Sequence, residues 1–308
     1  MIIDSQITRE YLDELDKNIS MISLTNDLMF KNLLEKNIEI LKPILLKLLH
    51  LDLNPDDCEF KFNNTELPLE NFKEYHKAVD FNISINEVTH INLELNSSRY
   101  KDIELRNLAY LVNLLNQALS RGEKIEKLKN QKYIQLNLNT KEKKYGNSTI
   151  CFFNQKEEKR ALNDFVLIHN WYIEYYKDMY YNIEELKEEE YFLAALASKS
   201  YKELYDILEK FLTKEETKII IKDVIVFSMD EKVIREQTLR RAAEIEDYMK
   251  AENARNEGLE QGLEQGLEQG AKKQTITIAK NMLNQNLSLD VIVKSTGLSE
   301  EEIKELNI

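Results

Sequence analysis

The sequence predicts an α/β core followed by an all-helical C-terminal region, and three features predict it. Residues 79–85 and 90–96 alternate apolar with polar side chains in strict period two, the pattern of half-buried strands. Between 99 and 120 the apolar residues Leu105, Leu108, Leu111, Val112, Leu115 and Leu119 recur at helical spacing, and 131–138 then alternates again through Tyr133, Ile134, Leu136 and Leu138. From Ser228 to about Leu283 the chain reads as one long, charged helix.

Taken in order, Thr25 or Asn26 can cap a helix carrying Leu28, Leu33 and Leu34, and a second apolar run over 38–51 is interrupted by Pro43, so two N-terminal helices are expected. Asp27 falls in the first turn, where a negative charge is favourable against the helix dipole. Residues 59–62 form a weak strand that can feed the sheet ahead of Asp80. Gly122 is a stop for the helix over 99–120, and 150–153 and 165–168 are short apolar runs that read as the last strands. Aromatic residues crowd 171–192, but acids interleave with them, which favours packing over base stacking. Residues 184–227 look helical. Within the long helix, Gly258, Gly262, Gly266 and Gly270 punctuate a Gly-Leu-Glu-Gln repeat. Each glycine costs about 1 kcal/mol relative to Ala, so that stretch is either a flexible arm or packs closely against a partner, including a second copy of the chain. Ser288 and Ser299 are N-caps for two short helices that resemble a helix-turn-helix in outline, and their few basic residues favour protein contact over groove reading. The expected divisions are a core domain over 20–170, a helical extension over 171–228 and the arm with its terminal motif over 229–308.

Register decides which hairpin residues face each other. A two-residue loop at Asn86-Glu87 would set Asp80 opposite Leu93 and mix polar with apolar throughout. Shifting the pairing by one residue sets Val79 opposite Leu95, Phe81 opposite Leu93 and Ile83 opposite Ile91 on one face. The other face then pairs Asp80 with Glu94 and Asn82 with Asn92, and the loop holds an odd number of residues. Opposed side chains have Cβ atoms roughly 4.5–5.5 Å apart, so two carboxylates there repel unless a cation compensates. Hard cations such as Mg²⁺ or Mn²⁺ choose oxygen ligands, commonly one or two carboxylates plus phosphate oxygens. The same pattern also fits a hairpin whose polar face is simply solvated. Asn96 shares that face, and Arg106, Tyr110, Asn113 and Gln117 form one polar stripe on the following helix.

The chain has 308 residues, a formal net charge of −13, two cysteines and four histidines. No run approaches the roughly 18 apolar residues that a membrane span needs, and the N-terminus lacks a signal-peptide pattern, so a cytoplasmic protein with no membrane partner is expected. Cys58 and Cys151 form no disulfide framework, and the scattered His50, His76, His90 and His169 build no zinc motif. The acidic total argues against a broad, nonspecific grip on nucleic acid. Residues 121–144, however, carry eight Lys or Arg, among them Lys124, Lys127, Lys129 and Lys132, against three Glu. Such a stretch is either a solvated loop or a track for phosphates.

Several segments together resemble the PD-(D/E)XK nuclease-family transposases, the recombination-promoting nuclease (Rpn) family. They are Asn26-Asp27-Leu28-Met29-Phe30-Lys31, Val79-Asp80, Ile91-Asn92-Leu93-Glu94-Leu95-Asn96, then Arg106, Tyr110, Gln117 and Gly122, and the tail over 278–283 and 295–303. The resemblance implies a restriction-endonuclease-like core, a mixed β-sheet flanked by helices with the order strand, strand, helix, strand. It implies a metal-dependent DNA endonuclease with Asp80, Glu94 and the Leu95 carbonyl holding Mg²⁺ or Mn²⁺. Asn96 and Gln117 would position water or phosphate, Lys124, Lys127, Lys129 and Lys132 would line the DNA, and Asp27 and Tyr110 would stand behind the site. Asn96 departs from the Lys usual in the wider superfamily; Arg99, Lys101 or Arg106 would have to supply the charge. The competing expectation is a catalytically weakened or inactive module of the same fold, acting in DNA binding or protein assembly.

Overall fold

The computed structural model describes residues 7–63, 81–96, 103–120, 131–140, 146–154, 159–160 and 165–306. Asp80, Lys124, Lys127 and Lys129, along with Arg99, Lys101 and His76, lie outside them. The chain divides into two compact units, 1–234 and 235–308.

In the first unit, α1 (Arg9–Asn18) and α2 (Asp27–Leu48) precede β1 (Phe60–Asn63), β2 (Phe81–Ile85) and β3 (Thr89–Asn96). Helix α3 (Ile103–Ser120) connects β3 to β4 (Lys132–Asn139); β5 (Asn147–Cys151), the two-residue strands β6 (Phe153–Asn154) and β7 (Lys159–Arg160), and β8 (Val166–Tyr172) follow. Four helices close the unit: α4 (Ile173–Tyr181), α5 (Glu188–Leu196), α6 (Tyr201–Leu208) and α7 (Lys214–Ser228). The six-stranded sheet has the order β1-β2-β3-β4-β8-β5. β3, β4 and β8 run parallel at its centre and the other pairs are antiparallel. A parallel pair needs a crossover, and α3 supplies it between β3 and β4.

Asn26 caps α2 by accepting from the Leu28 and Met29 amides at 3.1 and 3.3 Å. The two helices expected across 28–51 meet at Asn37 (φ −114°, ψ 23°), a kink inside the continuous span Asp27–Leu48, and Pro43 lies within the second of them. The buried Asn37 amide donates to Leu33 O at 3.1 Å and to Asp223 on α7 at 3.2 Å, so a side chain inserted into the helical ladder coincides with the bend. Helix α1 is held by remote partners. Arg9 pairs with Asp206 and Glu209, and Asp16 accepts from the Tyr201 and Lys202 amides at the start of α6.

Alternation divides the sheet into two faces. Phe81, Ile83, Ile85, Ile91, Leu93, Leu95, Ile134, Leu136, Leu138, Leu167 and Trp171 enter one continuous core with α2 and with residues of α4–α7. Each such aliphatic side chain contributes about 1.5–3 kcal/mol when fully buried, so this face anchors the sheet. The aromatic-rich stretch 171–192 joins this packing, with Trp171, Tyr176, Tyr180 and Tyr191 in edge, tilted or stacked ring contacts. The opposite face is polar and α3 covers part of it, with Leu111 and Leu114 packed on Tyr133 and Val166.

In the second unit, the end of α8 (Glu231–Asn284) packs with α9 (Leu289–Thr296) and α10 (Glu300–Glu305) around Ala279, Ile292 and Ile303, each fully buried. Gly297 (φ 73°) takes the left-handed conformation that ends α9, and Ser299 with Glu302 forms a reciprocal cap for α10. Among the described residues no helix is long and apolar enough to cross a membrane.

Candidate active site

The hairpin has the register that alternation demands. Phe81 opposes Leu93, Asn82 opposes Asn92 and Ile83 opposes Ile91, joined by a three-residue loop over 86–88. Asn86 and Glu87 both have positive φ (50° and 59°). The Asn86 side chain fixes the loop to the neighbouring segment, accepting from the Glu59 amide at 2.7 Å and donating to Asp57 O at 3.0 Å. Asp80, next along from Phe81, lies outside the described residues.

Three rows of amide groups cross the polar face. In the first, Asn63 donates to Asn82 (2.9 Å), Asn82 to Asn92 (3.2 Å) and Asn92 to the Tyr110 carbonyl of α3 (3.1 Å). In the second, Gln135 donates to Asn137 (2.9 Å), Asn137 to Asn170 (2.8 Å) and Asn170 to Ser148 (3.4 Å). In the third, Arg106 Nη2 donates to Asn96 Oδ1 (2.6 Å), Asn96 Nδ2 to Asn139 Oδ1 (2.9 Å) and Asn139 Nδ2 to the Trp171 carbonyl (3.3 Å).

Glu94 sits among these rows. It is 4% exposed, lies two residues from both Asn92 and Asn96 on β3, and pairs in register with Asn137 of β4. A carboxylate removed from water needs compensation by hydrogen bonds or opposite charge, and the strand register sets Asn137 beside it with Asn92 and Asn96 on the same face. Carboxylate and amide oxygens are the ligand type that a hard cation takes. Among the described residues no group of three or more His, Cys, Asp or Glu is placed to hold a metal.

The other expected residues are distributed as follows. The Asn96 amide engages Arg106 and Asn139, and its backbone carbonyl accepts from both the amide and the hydroxyl of Thr140 at 3.0 Å. Tyr110 is buried on the polar side, 5.9 Å below the Arg106 guanidinium, so these two members of the helical stripe face the sheet. Gln117 belongs to α3, but its side chain is outside the described set. The Leu95 side chain enters the apolar core, leaving only its carbonyl as a candidate ligand. Asp27 is exposed in the first turn of α2. Lys132 is exposed at the beginning of β4, five residues from Asn137 and so roughly 17 Å from it along the strand; it is not brought to Glu94.

Of the histidines, His90 stacks on Tyr133 with centroids 5.0 Å apart, and His169 is buried with its Nδ1 2.9 Å from the Thr149 hydroxyl. Cys58 and Cys151 are free thiols, and burial raises the Cys58 pKa above its ordinary value. Burial likewise pushes the Tyr176 phenol up, and burial reinforced by its hydrogen bond with Glu203 takes Tyr181 to about 12. These shifts accompany packing away from the polar face.

Gln135, Asn137, Asn139 and Asn170 belong to the candidate site although motif spacing does not single them out. The signal for the first three was the alternation of β4 itself, whose polar positions 135, 137 and 139 join the polar face of β3 once the parallel register is known.

Residues 272–308 match the family model described as the Rpn/YhgA-like nuclease family, C-terminal HTH domain. No curated protein and no solved structure matches the chain.

Proposed function

We propose, taking as premise the assignment to the Rpn/YhgA-like nuclease family that the match over 272–308 supports, that this chain is a metal-dependent DNA endonuclease with its centre at Glu94. The observation that carries the reading is a carboxylate 4% exposed on a sheet face that it shares with Asn92, Asn96, Asn137 and Asn139. The order β2, β3, α3, β4 is the arrangement expected of a PD-(D/E)XK core and supports the same reading.

In this proposal Glu94, Asp80 and the Leu95 carbonyl hold Mg²⁺ or Mn²⁺. The ion, when bound, supplies Lewis acidity toward a phosphodiester and its attacking water. Asn96 holds the Arg106 guanidinium at 2.6 Å, and Arg106 takes the place of the superfamily Lys in facing the charge that develops on the phosphate. Gln117, on the same helical stripe as Arg106 and Tyr110, orients water or phosphate oxygen. Lys124, Lys127, Lys129 and Lys132 line the flanking DNA, with Asp27 and Tyr110 as supporting groups. The HTH match suggests a second DNA contact in the C-terminal unit, and the glycine-punctuated helix offers a surface for a second copy of the chain.

One observation favours the second reading, a nuclease-fold module without catalysis. The Asn96 amide, at the position of the superfamily Lys, is engaged with Arg106 on one side and Asn139 on the other, and brings no charge of its own. Calorimetric titration of the full chain with Mn²⁺ separates the two. The enzyme reading expects binding that Glu94→Gln and Asp80→Asn each weaken by at least about tenfold, the usual loss when a metal's surroundings are altered. Binding that is absent, or unchanged in both variants, would leave the noncatalytic module.

A further inference from the structure

Trp171 O, Asn139, Asn96 and Arg106 form a line of hydrogen bonds whose direction is fixed by its ends. A backbone carbonyl can only accept and a guanidinium can only donate. Asn139 must therefore present Nδ2 to Trp171 O and Oδ1 to Asn96, which must present Nδ2 to Asn139 and Oδ1 to Arg106; the contacts are 3.3, 2.9 and 2.6 Å. Both amides are buried, where such chains polarise one another and an unmatched member is costly. The main chain at Asn96 is held as well, by two bonds from Thr140 to its carbonyl.

We infer that Asn139 is a positioning residue for the site, acting through Asn96 to aim the Arg106 guanidinium at a DNA phosphate. The inference deepens the nuclease reading and rests on it for the placement of the phosphate. The relay also gives Asn96 a purpose that a lysine there could not serve. A lysine has no acceptor to offer Arg106 and would set a second cation against it. Asn96→Lys alone is therefore harmful, and its harm is relieved when Arg106→Leu is added.

The test is a double-mutant cycle in the full chain, read first as affinity for a short labelled DNA duplex in EDTA, so that no metal is needed. Arg106→Gln weakens binding about tenfold. Asn139→Ala weakens it about fivefold in the wild-type background and less than about twofold in the Arg106→Gln background, because the two residues act as one unit. If Asn139→Ala does not fold, Asn139→Leu takes its place, since it keeps the volume and removes both the donor and the acceptor. Equal losses in both backgrounds, or no loss in either, would overturn the relay. The same cycle repeated as Mg²⁺-dependent cleavage separates the two claims. Coupling in EDTA without any cleavage retains the relay and removes the nuclease, whereas cleavage without coupling does the reverse.

Discussion

At Glu94 an isosteric change from carboxylate to amide separates structure from chemistry. Replacing the carboxylate by the amide of Gln keeps its shape and places one more amide among Asn92, Asn96 and Asn137, so Glu94→Gln is expected to fold and to melt within a few degrees of the wild type. Its predicted loss is in metal binding and DNA cleavage, by about a hundredfold or more in rate. Gly146 shows the opposite balance. A Cβ there would lie 2.6 Å from the Tyr176 hydroxyl and 2.9 Å from Tyr175 Cε1. Tyr176 is buried and receives a hydrogen bond from Asn147 at 3.2 Å, so it cannot retreat freely. Gly146→Ala should cost about 1–3 kcal/mol in a denaturant titration, the range for overpacking, and leave the Glu94 chemistry in place. A loss below about 0.5 kcal/mol would show that the tyrosine pair gives way.

Among the elements, the hairpin was legible from sequence because period two leaves only one register that separates apolar from polar, and β2 and β3 adopt it. The long helix α8 and the Ser299 cap were legible for similarly local reasons. Helix α1 was not, since its 10 residues hold only one fully buried side chain, Leu12, and its partners on α6 lie nearly 200 residues away. The amide rows were hidden for a related reason: Asn137 and Asn139 face Glu94 and Asn96 only through a parallel register that no single strand encodes. Two predictions belong at this scale. Hydrogen bonds from the Ser299 backbone and then its side chain hold the Glu302 carboxyl below the ordinary range. A carboxyl depressed in the folded state stabilises above its unfolded pKa and loses that contribution as pH falls through its folded pKa. Protection of the α10 amides relative to their intrinsic exchange rates should therefore hold at neutral pH and fall below about pH 4; Glu302→Gln should remove that pH dependence, whereas Ser299→Ala, which keeps the backbone bond to Glu302, should only reduce it while costing about 1 kcal/mol of cap. On α8, among the described residues and apart from the helix's own adjacent backbone, no atom lies within 4 Å of a Cβ built at Gly258, Gly262, Gly266 or Gly270. Replacing all four by Ala should raise helicity and the melting temperature of that element if it is an isolated arm, as measured by circular dichroism. A fall in apparent mass by light scattering would instead reveal a second copy packed on the glycine face.

For the molecule as a whole, the charge distribution sets the terms on which DNA could approach. A net charge of −13 leaves little nonspecific attraction, so binding depends on local cations such as Arg106 and the basic stretch 121–144, and should weaken steeply as salt rises. The acidic α10, with Glu300, Glu301, Glu302 and Glu305 against Lys304, adds nothing to that attraction. Residues 272–308 match the model of the Rpn/YhgA-like nuclease family's C-terminal HTH domain, while the proposed chemistry rests on the polar face of the other unit. The most direct measurement is cleavage of supercoiled plasmid by the full chain with Mg²⁺, Mn²⁺ or EDTA, comparing wild type with Asp80→Asn and Glu94→Gln, each shown to be folded by circular dichroism. The account predicts metal-dependent nicking by the wild type, lost in both variants and in EDTA. Absence of nicking by folded wild-type protein, or nicking that survives Glu94→Gln, would contradict it.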